Sequence, residues 1–170
     1  MSRLIAGLII GMAILTMTSV AFFTGSTPSW PEPEDFQSLT LSVLLQAYTA
    51  LLMPLFAGVI NGNEGLAIFA VWVAASSLAG LTAGKLSTSI KLALIMPSFV
   101  ILLWFGLTAV VFAEVYGPQS WLVEINAFLE RIAAYRLLNL LVPYLLVLAF
   151  SGVFGFLSSA FLARKKTVTV

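Results

Sequence analysis

The sequence predicts an all-α fold: a polytopic transmembrane helix bundle of five spans, with one amphipathic surface helix between spans four and five. Three observations carry that expectation. Of 170 residues, 61% are hydrophobic and 9% charged, with a mean hydropathy of +1.08. A water-soluble domain draws about a quarter of its residues from the charged types, so too few remain here to cover a soluble surface. The apolar residues also fall in uncharged runs, and about 20 such residues cross a hydrocarbon core about 30 Å thick. Finally, all 8 basic and 7 acidic residues fall in loops, at span ends or in the surface helix.

Span one covers residues 4–23 and ends in Thr24-Gly25-Ser26-Thr27. A secretory signal has a shorter apolar stretch and a small-x-small cleavage site, so an uncleaved helix is expected. Pro28, Pro31 and Pro33, mixed with Glu32, Glu34 and Asp35, resist helix and belong in water. Ser38 can cap span two, residues 39–60, and Pro54 would kink it. Asn61-Gly62-Asn63-Glu64-Gly65 turns the chain into span three, residues 66–83, which stops at Gly84-Lys85. Span four, residues 92–113, follows Lys91, contains Pro97 and stops at Glu114. Span five, residues 137–163, is long enough to need tilt or a kink at Pro143, and Arg164-Lys165-Lys166 closes it.

Over residues 119–135, Trp121, Leu122, Ile125, Phe128, Leu129 and Ile132 recur at helical spacing, with Glu124, Glu130 and Arg131 away from that stripe. Such a helix lies along the membrane surface and covers the ends of the spans; docking to a partner is the other reading. Five spans put the chain ends on opposite sides. The basic-residue bias, with Lys85, Lys91, Arg164, Lys165 and Lys166 against Arg3, Arg131 and Arg136, then predicts a cell-membrane protein with its N-terminus outside and its C-terminus cytoplasmic. Arg3 before the first helix argues the other way, and a further span would bring both ends to one side.

Lipid tails are as apolar as leucine, so helices in a membrane associate through close contact at small residues. Gly7 and Gly11, Gly58 and Gly62, Ala75, Ala79 and Ala83 with Gly80 and Gly84, and Ser151, Gly155 and Ser159 form such strips. They are expected to pack within one bundle, and the alternative is contact with another subunit. Spans three and five, which run parallel in this topology, both end in a small-residue strip followed by basic residues.

No ionisable residue lies inside a predicted span, which argues against a proton relay, a voltage sensor or a charged ion pathway. Glu64 and Glu114, each beside a span end, are the weak ion-site candidates. Among neutral groups, Gln46, Ser76, Ser77 and Asn139 could meet a polar ligand or bond between helices, while Trp72 and Trp104 are expected to pack. With no Cys and no His, thiol nucleophiles, thiolate clusters and imidazole chemistry are excluded, and Met1, Met12, Met17, Met53 and Met96 do not cluster as soft-metal ligands. No phosphate loop, dinucleotide fingerprint or nucleophile elbow occurs, so no enzyme activity, cofactor or metal is expected. A net charge of +1 is too small for nucleic-acid binding. The composite expectation is a non-catalytic subunit or accessory component of a larger membrane complex, with lipid and other membrane subunits as partners. The alternative is a small-molecule transporter or its membrane-embedded binding component.

Overall fold

The computed structural model describes residues 2–23, 36–57, 63–117, 119–135 and 137–167, with side chains described for 2–21, 39–52, 65–114, 117, 119–130 and 138–161. Among them it is all-α. In chain order come α1 (Arg3–Phe23), α2 (Phe36–Ala57), α3 (Asn63–Ala83), α4 (Leu86–Tyr116), α5 (Ser120–Tyr135), a 3-10 turn (Leu137–Leu141) and α6 (Val142–Thr167). Four helices hold stretches long and apolar enough to cross a bilayer: Arg3–Ala21, Gly65–Ala83, Leu86–Glu114 and Leu138–Phe161. The chain is a multi-pass membrane protein of helical-bundle type.

Two compact units divide the chain. The first comprises Met1–Leu15, Phe69–Ser98 and Pro143–Val170; the second comprises Thr16–Ile68 and Phe99–Val142.

In the first unit, α3 turns directly into α4. Gly84 has φ +63°, and its N–H donates to the Gly80 carbonyl at 3.1 Å, which closes α3 with a left-handed cap. The Lys85 carbonyl then accepts from the Thr88 and Ser89 N–H groups, each at 3.1 Å, and α4 begins. The helix therefore starts six residues before the expected span, and Lys91 lies within it, exposed. Only glycine takes this φ without strain. Gly84→Ala is therefore expected to cost roughly 1–2 kcal/mol, read as a lower midpoint in detergent-titrated unfolding; an unchanged midpoint would show that the turn relaxes.

The same unit fixes which way its helices run. A Cβ built on Gly7 would lie 2.9 Å from the Ala79 carbonyl oxygen, and one built on Gly84 would lie 2.9 Å from Nη1 of Arg3, so α1 runs antiparallel to α3. Gly7 faces Leu92 Cδ1 (3.1 Å) and Gly11 faces Met96 Sδ (2.9 Å), so α1 and α4 run in the same direction. Gly80 meets Ser151, and Gly84 lies 3.7 Å from Ser158 Oγ by the same construction, so α3 and α6 are parallel. The Ser98 and Tyr144 hydroxyls lie 2.9 Å apart, while Ser151 Oγ donates to the Ser89 carbonyl at 3.4 Å, which makes α4 and α6 antiparallel. Ala79, Ala83 and Leu92 are fully buried at this contact, with Leu4 and Leu8 packed on them.

α1 thus runs antiparallel to α3, and α4 antiparallel to α6. Over α2, a helix of 22 residues, the described apolar stretch is Leu39–Leu52. Arg3 and Ser158 both lie near the same glycine, Gly84, so the start of α1 and the turn of α6 that holds Ser158 meet at one end of this unit.

Pro143 lies in the first turn of α6, where its missing N–H is no loss, and the change from 3-10 turn to α-helix falls just before it, inside the apolar stretch Leu138–Phe161. Pro97 is inside α4 and is buried, and it leaves the Ala93 carbonyl without its helical donor. The side chain of Pro54 lies outside the described residues.

In the second unit, α2 supplies Leu45, Ala47, Tyr48, Leu51 and Leu52 to the buried core. Gly117, at φ +97°, turns the chain from α4 towards α5. The Ser120 hydroxyl lies 2.7 Å from both the Phe112 and Gly117 carbonyls and donates its one proton at this corner. Phe128 of α5 then packs its ring 4.4 Å from Trp104 and 6.0 Å, edge-on, from Phe105.

Candidate functional site

Polar side chains in a low-dielectric interior need partners, and most of those described here find them inside the chain. In the second unit the Thr16 and Tyr48 hydroxyls lie 2.8 Å apart, joining α1 to α2. Trp104 Nε1 donates to Thr49 Oγ1 at 2.9 Å, joining α4 to α2. Adjacent residues of α2 thus hold two different helices, and Trp104 faces Thr49 with its nitrogen while its ring meets Phe128 and Phe105 (5.1 Å).

The neutral residues singled out as ligand or interhelical contacts divide between the two units. Ser76 is buried and donates to the Trp72 carbonyl at 2.6 Å; Ser77 donates to the Val73 carbonyl at 2.7 Å. Both bond back along their own helix, as serines in apolar helices commonly do. They belong to the first unit, whereas Gln46 and Asn139 belong to the second. Gln46 is half-buried and Asn139 is half-buried in the 3-10 turn, where it is bonded. Trp72 and Trp104 are both buried.

Of the small residues, Gly7, Gly11, Ala79, Gly80, Gly84, Ser151 and Gly155 meet other helices of this same chain, and Ala75 and Ala83 are buried. A Cβ on Gly155 would abut Ser89 Oγ and lie 3.4 Å from the Gly80 carbonyl oxygen. Ser159 instead donates to the Phe156 carbonyl at 2.7 Å. Gly58, Gly62 and the side chain of Glu64 lie outside the described residues, and Glu114 is exposed at the end of α4.

Two surfaces stand out. The first is the outer side of α5. Its stripe is divided: Phe128 is 7% exposed and Trp121 and Ile125 are half-buried, but Leu122 and Leu129 are 44% and 49% exposed. Val123, beside them, is 71% exposed, and Glu124, Asn126 and Glu130 are exposed around them. The second is the end of the first unit where Arg3, Lys85 and Lys91 are all exposed.

The sequence reading missed the Thr16–Tyr48, Thr49–Trp104 and Ser98–Tyr144 bonds and the meeting of Arg3 with Gly84. A signal existed for the first three, since each is a polar atom in an apolar helix with the same need for a partner as Gln46. Which atoms pair is a matter of helix rotation, which composition does not carry. No family model, curated protein or solved structure matches this chain.

Proposed function

We propose that the chain is a non-catalytic integral membrane component that works by associating with other membrane proteins, through the outer side of α5. The observation that supports this reading is the divided stripe: one side of α5 is anchored by Phe128 on Trp104, while Leu122, Val123 and Leu129 face outward among carboxylate and amide groups. Apolar residues rimmed by polar ones on a short surface helix match the way amphipathic helices enter a partner's groove. The transporter reading has less behind it, because Ser76 and Ser77 already donate within their helix.

The proposal extends to sidedness. A four-crossing reading, in which α2 and the segment holding α5 each return to the side they left, is supported by the antiparallel contacts of α1 with α3 and of α4 with α6. On that reading Arg3, Lys85 and Lys91 share one side, and the positive-inside bias makes it cytoplasmic, with α5 facing away from the cytoplasm.

Both parts are tested by placing a photo-crosslinking amino acid at Val123 in the native membrane. The expected result is an adduct with a second membrane protein, absent when the probe stands at Leu102 on α4. Adducts with lipid alone at Val123 would overturn the subunit reading. Labelling of a cysteine at position 123 only from the cytoplasmic side would overturn the orientation.

A further inference from the structure

We propose that the end of the first unit built by Arg3, Lys85 and Lys91 around the Gly84 turn binds the phosphate of anionic lipid headgroups. The charge there is of one sign. α6 runs parallel to α3 and brings Ser158 to the Gly84 turn, and the sequence has no acidic residue in 1–31, 65–113 or 137–170. Arg3, Lys85 and Lys91 are exposed, and among the described residues none has a carboxylate partner. These three exposed cations, without a carboxylate partner among the described residues, draw their counter-charge from outside the chain. At a lipid boundary the groups that supply it are phosphates of the headgroup layer.

The backbone shapes the place where they gather. The left-handed turn at Gly84 presents no Cβ, and the Arg3 guanidinium occupies the space beside it, with Ser158 Oγ on the other flank. Guanidinium, ammonium and hydroxyl donors are thus brought together from α1, the α3–α4 turn and α6, and a guanidinium offers paired N–H donors that match phosphate oxygens. Lys85 and Lys91, one at the turn and one in the second turn of α4, extend the same positive surface. Free phosphate offers the same oxygens. The lipid is favoured because exposed Leu86 and Ile90 lie between the two lysines along the chain and offer acyl chains an apolar surface beside the charges.

The test is native mass spectrometry of the full chain in neutral detergent, with equimolar phosphatidylglycerol and phosphatidylcholine of matched acyl chains. Phosphatidylglycerol is expected to bind in clear excess, and its apparent affinity to fall roughly fivefold for each neutralised charge in Lys85→Gln and in the combined R3Q/K85Q/K91Q variant. Phosphatidylcholine binding should not change, and R131Q/R136Q, two charges removed from the second unit, should keep the preference. The single Lys85→Gln change alters one exposed side chain and keeps the test valid should the triple variant unfold. Equal binding of the two lipids, or native-like phosphatidylglycerol binding by Lys85→Gln, would overturn the proposal. Displacement of the lipid by millimolar inorganic phosphate would overturn it in favour of a soluble phosphate ligand.

Discussion

Gly80→Leu is expected to separate α3 from α6. A Cβ at Gly80 would stand 2.6 Å from Ser151 Cα and 2.9 Å from its carbonyl carbon, so the obstacle is backbone and has no side-chain rotamer to adopt. Close approach here also lets the Ser151 hydroxyl reach the Ser89 carbonyl across the unit at 3.4 Å. Overpacking a well-filled interior usually costs roughly 1–3 kcal/mol, and a substitution against main chain belongs at or above the upper end. Gly106 is the internal control. Nothing lies within 4 Å of its Cβ position on α4, so Gly106→Ala should change stability by less than about 1 kcal/mol, with helix propensity favouring alanine. Unfolding of both variants by dodecyl sulfate titration in micelles measures the contrast. Equal midpoints for the two would mean that the α3–α6 seam does not hold the first unit together.

Trp104→Ala should have the second large effect, and it should be local to the other unit. Trp104 is 2% exposed, donates its indole N–H to Thr49 and supports Phe128 of α5 at a centroid distance of 4.4 Å. Truncating a buried aromatic residue to alanine costs roughly 3–5 kcal/mol. Loss of the hydrogen bond leaves the Thr49 hydroxyl without its donor, a smaller part of the total at about 0.5–1.5 kcal/mol. Trp104→Phe separates the two contributions, because it keeps a ring against Phe128 and removes only the donor. Hydrogen exchange over residues 120–130 is the appropriate readout. Alanine should speed exchange there strongly and phenylalanine only slightly. Protection that survives Trp104→Ala would show that α5 is held by something other than the Trp104–Phe105–Phe128 cluster.

Much of the architecture is legible in the sequence because a bilayer sorts residues by solvent. Three of the four crossing helices, α1, α3 and α6, begin or end within a few residues of the boundaries that hydropathy implies, and α5 is readable from its 3.6-residue stripe. Crossing direction is not readable in this way. The stretch around Leu39–Leu52 is apolar enough to resemble a span, whereas the opposite directions of α1 and α3 rest on contacts such as Gly7 with Ala79 that no hydropathy value records. Hydropathy reports the medium around a residue and is blind to whether the helix entering that medium leaves by the far side. The start of α4 was hidden for a related reason. Lys91 reads as a boundary when charge is taken as the signal, whereas the Lys85 carbonyl already begins the helix at the turn.

The candidate site was less legible than the fold. Small residues mark where helices approach, and Gly7, Gly11, Gly80 and Gly155 do approach neighbours. The polar residues chosen for their chemistry were a poorer guide, since a serine such as Ser76 satisfies itself on its own helix. In the sequence Arg3 bears only on orientation; its position beside Gly84 depends on a turn geometry that no spacing rule encodes.

Among the described residues, bonds from helix to helix include Thr16 to Tyr48, Thr49 to Trp104, Ser98 to Tyr144 and Ser151 to Ser89, and each joins hydroxyl, indole or carbonyl groups with no carboxylate, ammonium or guanidinium in any of them. A change in the voltage across the membrane therefore finds no charge to pull on in these four contacts.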